Sequence, residues 1–179
     1  MALNLLHLDH EGVRAAMVSE IARDQTADRL YVGKYLSPAG TAQYPELLKQ
    51  AAADADDAML AMNLRHSNAF LDSVPKRTPK GNMTIAKVPV TAPETLAEGE
   101  FNRFYIRGLC LIAMERGITE LEVYRARHSE KPRPESEALI GKRLNVAQLL
   151  DDLRKHPGCD TALGLPPGPN SGLSARIPQ

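Results

Sequence analysis

Side chains that could bind a metal ion are sparse in this chain of 179 residues. His7 and His10 stand three positions apart, a spacing at which two imidazoles can bind one metal ion, but no third ligand follows at a suitable spacing. We therefore interpret both as surface histidines on an N-terminal helix. Asp54, Asp56 and Asp57 lack the glycine and the distal glutamate of a calcium loop, so we expect a solvated acidic face there.

Hydrolytic chemistry is the least favoured interpretation of the region around His128. Ser129 follows this histidine, and Glu135 and Glu137 lie downstream, but no Gly-x-Ser-x-Gly elbow presents a nucleophile. Residues 164–172 are glycine-rich, yet their three prolines lack the amide donors that a phosphate-binding loop needs, and we interpret them as a rigid structural loop. We expect a protein that is not an enzyme, with no catalytic residue, no cofactor and no metal.

Basic side chains are the strongest candidates for binding. The chain has as many Lys and Arg as Asp and Glu, 22 of each, but residues 71–90 hold four bases and a single acid. Two arginines of a later helix are four residues apart and therefore share one face of that helix. We predict partner or nucleic-acid contacts at Lys76, Arg77, Lys80, Lys87, Arg103 and Arg107.

A wider group of arginines leaves two alternatives open. Their side chains could converge near the central helix and the next strand, where they would bind phosphate or an acidic partner. Alternatively they pair with nearby glutamates, which the zero net charge favours. The arginines are Arg103, Arg107, Arg125, Arg127 and Arg133, and the glutamates are Glu98, Glu100, Glu122, Glu135 and Glu137.

Residues 1–67 are predicted to form a helical N-terminal region. The spacing of apolar residues indicates a helix over 9–23, with Asp9 as its cap, and a second short helix over 26–36. Ser, Pro and Gly at 37–40 then predict a turn.

A long alanine-rich helix is predicted to follow this turn. Pro45 suits its first turn, and the pattern continues to about His66. The helix presents a stripe of small and apolar side chains, which suits close packing against a neighbouring helix or subunit.

Residues 68–90 form a basic connector that contains proline and glycine. We interpret 68–82 as an exposed loop or hinge, with a mobile basic arm as the alternative. Residues 83–90 alternate in polarity and predict a short edge strand, because Pro89 excludes them from the interior of a sheet.

Residues 91–179 are predicted to form an α+β region. Thr91 caps a long helix that continues to Arg116 and stops at Gly117, and most of its second half is apolar on all sides. A helix with that composition is central. A strand follows over 118–127, with alternating apolar and polar side chains.

Shorter elements complete the C-terminal region. We expect a helical turn over 135–140, a helix over 146–155 capped by Asn145, and a closing strand over 173–177. The fold class is therefore α+β, with a helix-rich N-terminal half and a long central helix followed by a small antiparallel or mixed sheet.

Composition is that of a globular protein with one domain, with or without an extended arm. Hydrophobic residues make up 43% and charged residues 25%. Cys110 and Cys159 are too few for a disulfide framework or a zinc site, and we expect Cys110 to be a buried thiol. The first residues do not read as a signal peptide, and no apolar run approaches the roughly 18 residues of a membrane span. We expect a cytoplasmic protein without membrane contact.

The C-terminal half resembles the minor head (Mu-type head morphogenesis) proteins of tailed phages. The resemblance covers roughly residues 95–177 and lies in the segments FNRFYIRGLCLIAMERG, ITELEVYRAR, PRPESEALIGKRL and LPPGPNSGLSARI. The metal-binding Cys and His positions of that family fall near 134–137 and 169–174, where this chain has neither residue, so no metal ligand is implied. The resemblance implies a virion component near the portal or on the capsid, made in the host cytoplasm, with no catalysis of its own.

Two functional hypotheses follow. The leading one is a non-enzymatic structural or assembly protein of a phage or prophage head or head–tail region, which acts through contacts with copies of itself or with other virion proteins. The helix over 45–66 and the basic residues 75–87 would then contact neighbouring subunits and packaged DNA. The alternative is a nucleic-acid-associated accessory protein that uses residues 76–87 together with Arg103 and Arg107.

Overall fold

The computed structural model describes residues 2–130, 132–158, 161–165 and 171–178. The fold is α+β, as predicted from the sequence: six helices and two small antiparallel sheets are present among these residues. In chain order they are α1 (Val13–Thr26), α2 (Pro38–Asp54), α3 (Asp57–His66), β1 (Ser73–Arg77), β2 (Met83–Lys87), α4 (Ala92–Glu115), β3 (Glu120–Arg125), α5 (Pro134–Glu137), β4 (Arg143–Asn145), α6 (Val146–Lys155) and β5 (Leu173–Arg176).

Helix α4 is the centre of the molecule, and both of its predicted ends are confirmed. Thr91 directly precedes the helix, but its side chain makes no capping hydrogen bond, so the cap predicted there is wrong. Gly117 follows the last turn with a φ of 71°. Helices α1, α3 and α6 pack around it, so the N-terminal helices and the C-terminal region share one hydrophobic core. Gly108 permits the close crossing with α1, since a Cβ atom there would lie 2.9 Å from the carbonyl oxygen of Val13.

The sheet behind α4 is antiparallel, in the order β4-β3-β5. Leu121 and Val123 of β3 point into the core, as the alternation of the sequence predicts. The predicted closing strand is confirmed as β5, which pairs with β3. The predicted cap of α6 is also confirmed, because the side-chain oxygen of Asn145 accepts a hydrogen bond from the backbone N–H of Gln148 at 3.1 Å.

The start of α1 and the helix predicted over 26–36 are wrong. Helix α1 begins at Val13, and Asp9 binds the Arg14 side chain at 2.8 Å instead of capping a helix. The helix ends at Thr26 because Asp28 takes a positive φ of 51°, and the chain from there to Leu36 is not helical.

The turn predicted at 37–40 and the single helix from Pro45 to His66 are also wrong. Ser37 caps α2, since its hydroxyl accepts a hydrogen bond from the Gly40 N–H at 3.0 Å. The long helix is interrupted after Asp54, and Asp56 caps α3 by accepting from the Met59 N–H at 2.8 Å. A side chain that offers the backbone a cap in this way competes with continuous helix.

The acidic face predicted at residues 54–57 is wrong at Asp57, which is buried. Its carboxylate accepts a hydrogen bond from the backbone N–H of Leu3 at 3.0 Å and so fastens the N-terminal segment to α3. Burial raises the pKa of this carboxyl above its ordinary value.

The connector is a β-hairpin, so the loop predicted over 68–82 is wrong where β1 forms. The strand predicted over 83–90 is confirmed at Met83–Lys87 as β2, which pairs with β1 in antiparallel register. The turn uses Pro79 and Lys80 at its centre and Gly81 at a φ of 85°, the usual pattern of a three-residue hairpin loop. Among the described residues, no helix is long and apolar enough to cross a membrane.

Candidate functional site

Four of the six predicted contact residues lie together on the hairpin β1-β2, which we call the arm (residues 73–87). The strands of the arm pack mainly against each other, and most of their side chains are exposed. The sequence from 73 to 90 contains no acidic residue. The arm is therefore a basic projection from the helical body, on which the predicted residues are Lys76, Arg77, Lys80 and Lys87.

One face of the arm is apolar at its centre. The register places Pro75 opposite Ile85 and Arg77 opposite Met83, with their side chains on the same face. The exposed fractions are 76% for Ile85 and 66% for Met83. Large apolar side chains exposed to this degree, next to basic ones, are typical of surfaces that bind a partner.

Arg103 and Arg107 do not join this surface, and the prediction that they contact a partner is wrong. Each is only 1% exposed, because α4 is covered on the face that carries them. The Nε of Arg107 donates to Glu20 at 2.7 Å, and its terminal nitrogens donate to the two carboxylate oxygens of Asp24 at 2.5 and 2.9 Å. Arg107 therefore binds α4 to α1.

In the ion-pair network of Arg107, Arg154, Glu20 and Asp24, attraction between opposite charges outweighs the cost of burying them. Burial alone would lower the pKa of Arg107, but its hydrogen bonds and charge interactions with Asp24 and Glu20 outweigh burial and raise it. Burial likewise opposes ionisation of Glu20, yet Arg154 and Arg107 together lower the pKa of this carboxyl. Arg107 and Glu20 are consequently charged at neutral pH.

Arg103 fastens a different element, the C-terminal end of α6. One of its terminal nitrogens donates to the carbonyl oxygens of Leu153 and His156, at 3.2 and 2.6 Å. The last carbonyls of a helix have no partner within the helix and carry its negative dipole end, so a buried guanidinium stabilises them. The Nε of Arg103 also lies 3.4 Å from Oε1 of Glu100.

A pocket of about 320 Å³ opens beside Glu100 and is lined by side chains that include Tyr31, Tyr35, Phe70 and Leu96. Oε2 of Glu100 has no hydrogen-bond partner among the described residues. Burial raises the pKa of Glu100 to about 7 although Arg103 opposes that change. The pocket therefore has an apolar wall and a carboxyl group that titrates near neutral pH.

The alternative in which the wider group of arginines pairs with glutamates is confirmed at three of them. Arg103 pairs with Glu100, Arg125 with Glu137, and Arg127 holds both oxygens of Glu98 at 2.8 and 2.9 Å. Glu122 pairs instead with Arg176, a partner that the sequence did not indicate.

The predicted metal and thiol candidates are placed as follows. His7 and His10 contact each other, with their Nδ1 atoms 3.2 Å apart, and Nε2 of His7 accepts a hydrogen bond from the Ile177 N–H. The described residues contain no group of three or more His, Cys, Asp or Glu that could hold a metal ion. Cys110 is a buried thiol, as predicted, and burial raises its pKa to about 12. Cys159 and residues 166–170 of the predicted rigid loop lie outside the described residues.

The first strand of the arm, and its pairing with β2, is the feature that the sequence interpretation missed. Its signal was present as Pro79, Lys80 and Gly81 between two segments of alternating polarity. The chain matches no protein-family model, no curated protein and no solved structure.

Proposed function

We propose that the chain is a non-enzymatic assembly protein that docks onto a partner protein through its arm. The observation that carries this proposal is the exposure of Met83 and Ile85 on a hairpin that projects from the body. An isolated two-stranded hairpin is only marginally stable in water. Met83 and Ile85 remain largely exposed at its centre and add nothing to the core, whereas a bound partner would cover them.

The body extends the same surface at the base of the arm. The Arg65 side chain donates to the carbonyl oxygen of Val90 at 3.2 Å, which holds this residue beside α3. Val90 is 81% exposed, and Met62, one helical turn before Arg65, is 43% exposed. A partner that covered the arm could therefore also contact the body.

The proposal includes a place for the protein in a phage or prophage virion, in the head or head–tail region. The support for this part is the resemblance of residues 95–177 to minor head proteins, and the segments that resemble them span α4 to β5. Neighbouring portal or capsid genes would supply the partners to be tested.

A nucleic-acid-associated accessory protein is the second candidate, and one observation favours it. All four basic side chains of the arm are on a two-stranded ribbon without an acidic residue, and such a ribbon fits the DNA major groove. Arg103 and Arg107 are no longer part of this proposal because they are buried.

Two double variants of the full chain separate these candidates. Met83→Ser with Ile85→Ser removes the apolar face at constant charge, and Lys76→Glu with Arg77→Glu reverses charge at constant apolar area. Docking onto a protein predicts that the serine variant no longer co-purifies with portal or capsid proteins of the neighbouring genes.

Nucleic-acid binding predicts a different pattern in fluorescence anisotropy with duplex DNA. The serine variant would bind normally, the glutamate variant would not, and log Kobs would fall against log salt with a slope of roughly −3 to −4 for four contacts. Wild-type protein that binds neither the neighbouring virion proteins nor DNA at low salt would refute both candidates.

A further inference from the structure

We infer that the outer edge of β2 binds an extended, acidic segment of the partner as an additional antiparallel or parallel strand. This inference rests on the proposed function, and it specifies how the arm docks and what the partner presents. It is carried by the hydrogen-bond register of the hairpin, by the position of Pro75 and by the charge of the arm.

The register shows which backbone groups of the arm are free. Val88 donates to the carbonyl of Asp72 at 2.9 Å, and Thr78 donates to that of Asn82 at 2.8 Å. Hydrogen-bonded and non-hydrogen-bonded pairs alternate along an antiparallel ladder. Between those two bonds, the non-hydrogen-bonded pairs are therefore Ser73 with Lys87, Pro75 with Ile85, and Arg77 with Met83.

Residues in non-hydrogen-bonded pairs direct their N–H and C=O groups away from the partner strand. On β2 these are Met83, Ile85 and Lys87, which are all exposed. The outer edge of β2 thus offers three N–H donors and three C=O acceptors in the spacing that a new strand requires.

The outer edge of β1 is different because Pro75 occupies its central outward position. Proline has no N–H, and its ring obstructs an approaching strand, which is how natural edge strands are protected. The two edges of the arm are therefore unequal, and only that of β2 is open along its length.

The charge of the arm determines the class of strand that fits. Lys87 and Arg77 flank Ile85 and Met83 on the face that an added strand would extend. Acidic side chains alternating with small apolar ones would pair with the bases and cover the apolar centre. A second copy of this chain fits poorly, because its arm would bring four further basic residues, and no acidic one, next to this edge.

The test uses isotope-labelled full-length protein and the peptide acetyl-Glu-Val-Glu-Val-Glu-Val-Glu-amide, followed by amide NMR. Strand addition predicts that the amides of Met83, Ile85 and Lys87 shift together and exchange more slowly with water when the peptide is added. A version of the peptide N-methylated at alternate residues should bind at least roughly tenfold more weakly, since it lacks the donors of one edge.

Matched variants at one position test the same point from the protein side. Ile85→Pro removes an outward N–H, and the hairpin already accommodates proline at the equivalent position opposite, Pro75. Ile85→Thr removes apolar area but keeps the N–H. We expect roughly tenfold weaker binding for the proline variant and a smaller loss for the threonine variant. Retained cross-strand contacts between Val74 and Ala86 would verify that the arm still folds.

The outcomes distinguish this inference from the proposed function. If Lys76→Glu with Arg77→Glu abolishes binding while the N-methylated peptide and Ile85→Pro bind normally, the arm docks through side chains and strand addition is overturned. If the peptide leaves the amides of β2 unchanged, strand addition is likewise overturned, whereas loss of virion-protein binding in the serine variant would still support docking. Concentration-dependent dimers that Ile85→Pro abolishes would identify a second copy as the occupant and overturn the acidic partner.

Discussion

Replacing Arg107 by methionine should reveal whether this side chain belongs to the core or to a binding surface. Methionine keeps most of the aliphatic volume but removes three hydrogen bonds, one to Glu20 and two to Asp24. Glu20 retains two hydrogen bonds from Arg154, at 3.0 and 2.5 Å, so its charge stays compensated. Asp24 loses its bonds from Arg107 altogether and becomes the main source of the destabilisation.

Breaking a buried ion pair on one side costs about 3–5 kcal/mol. The Asp24 side chain is 13% exposed and can regain some hydration, so we expect a loss near the lower limit, about 3 kcal/mol. At roughly 2–4 °C per kcal/mol for a chain of this size, the midpoint of thermal unfolding should fall by about 6–12 °C. Urea unfolding followed by circular dichroism measures both the free energy and the cooperativity.

Two comparisons make the result specific. Arg143→Met removes a half-exposed arginine that lies 3.9 Å from Glu120, and it should cost less than about 1 kcal/mol. Adding Asp24→Asn to Arg107→Met removes the uncompensated charge and should restore part of the loss. If Arg107→Met were as stable as Arg143→Met but bound a partner less well, the assignment of Arg107 to the core would be refuted.

Three further predictions concern two titratable side chains and one close contact between helices. Burial raises the pKa of Glu100 from 4.5 to about 7, so its contribution to stability is fully present below pH 4.5 and is lost as pH rises through 7. The free energy of unfolding should therefore decline by about 3 kcal/mol over that range, and Glu100→Gln should remove the decline. Urea unfolding at several pH values measures it. The pKa of His7 is lowered, first by burial and then by the charge of His10, so stability should fall as pH drops below 6.5, and His7→Ala should flatten that fall. If a variant showed the same dependence of stability on pH as the wild type, the assignment of that residue would be contradicted. Gly108→Ala should lower the free energy of unfolding by about 1–3 kcal/mol, because the added Cβ would meet the Val13 carbonyl oxygen. Helix propensity alone predicts a gain in stability instead, and a measured gain would show that α1 and α4 are farther apart.

The corrected positions of the arginines also narrow the functional proposals. A basic surface made of the arm and of α4 would have favoured nucleic acid, since charge would have extended over two elements. Because Arg103 and Arg107 are buried inside the body, the basic residues that remain from that prediction are confined to the arm. The apolar face of the arm is then the feature that most favours a protein partner over nucleic acid.

Much of the C-terminal half could be predicted because its signals are local. Gly117 ends α4 through its own backbone conformation, and Asn145 caps α6 through a bond to a residue three positions away. The alternation of Leu121 and Val123 likewise reports the face of β3 directly. In each case the physical cause lies within a few residues of the effect.

The sequence by itself therefore determined the α+β class, the central helix, the order of the later elements and the clustering of four bases in one segment. Tertiary structure alone decided where charge is exposed. Arg107 is buried because Glu20 and Asp24 reach it from α1, more than eighty residues earlier in the chain, and Arg103 because the end of α6 needs a donor. The arm became a distinct surface for the same reason: no local pattern states which face of an element other elements will cover.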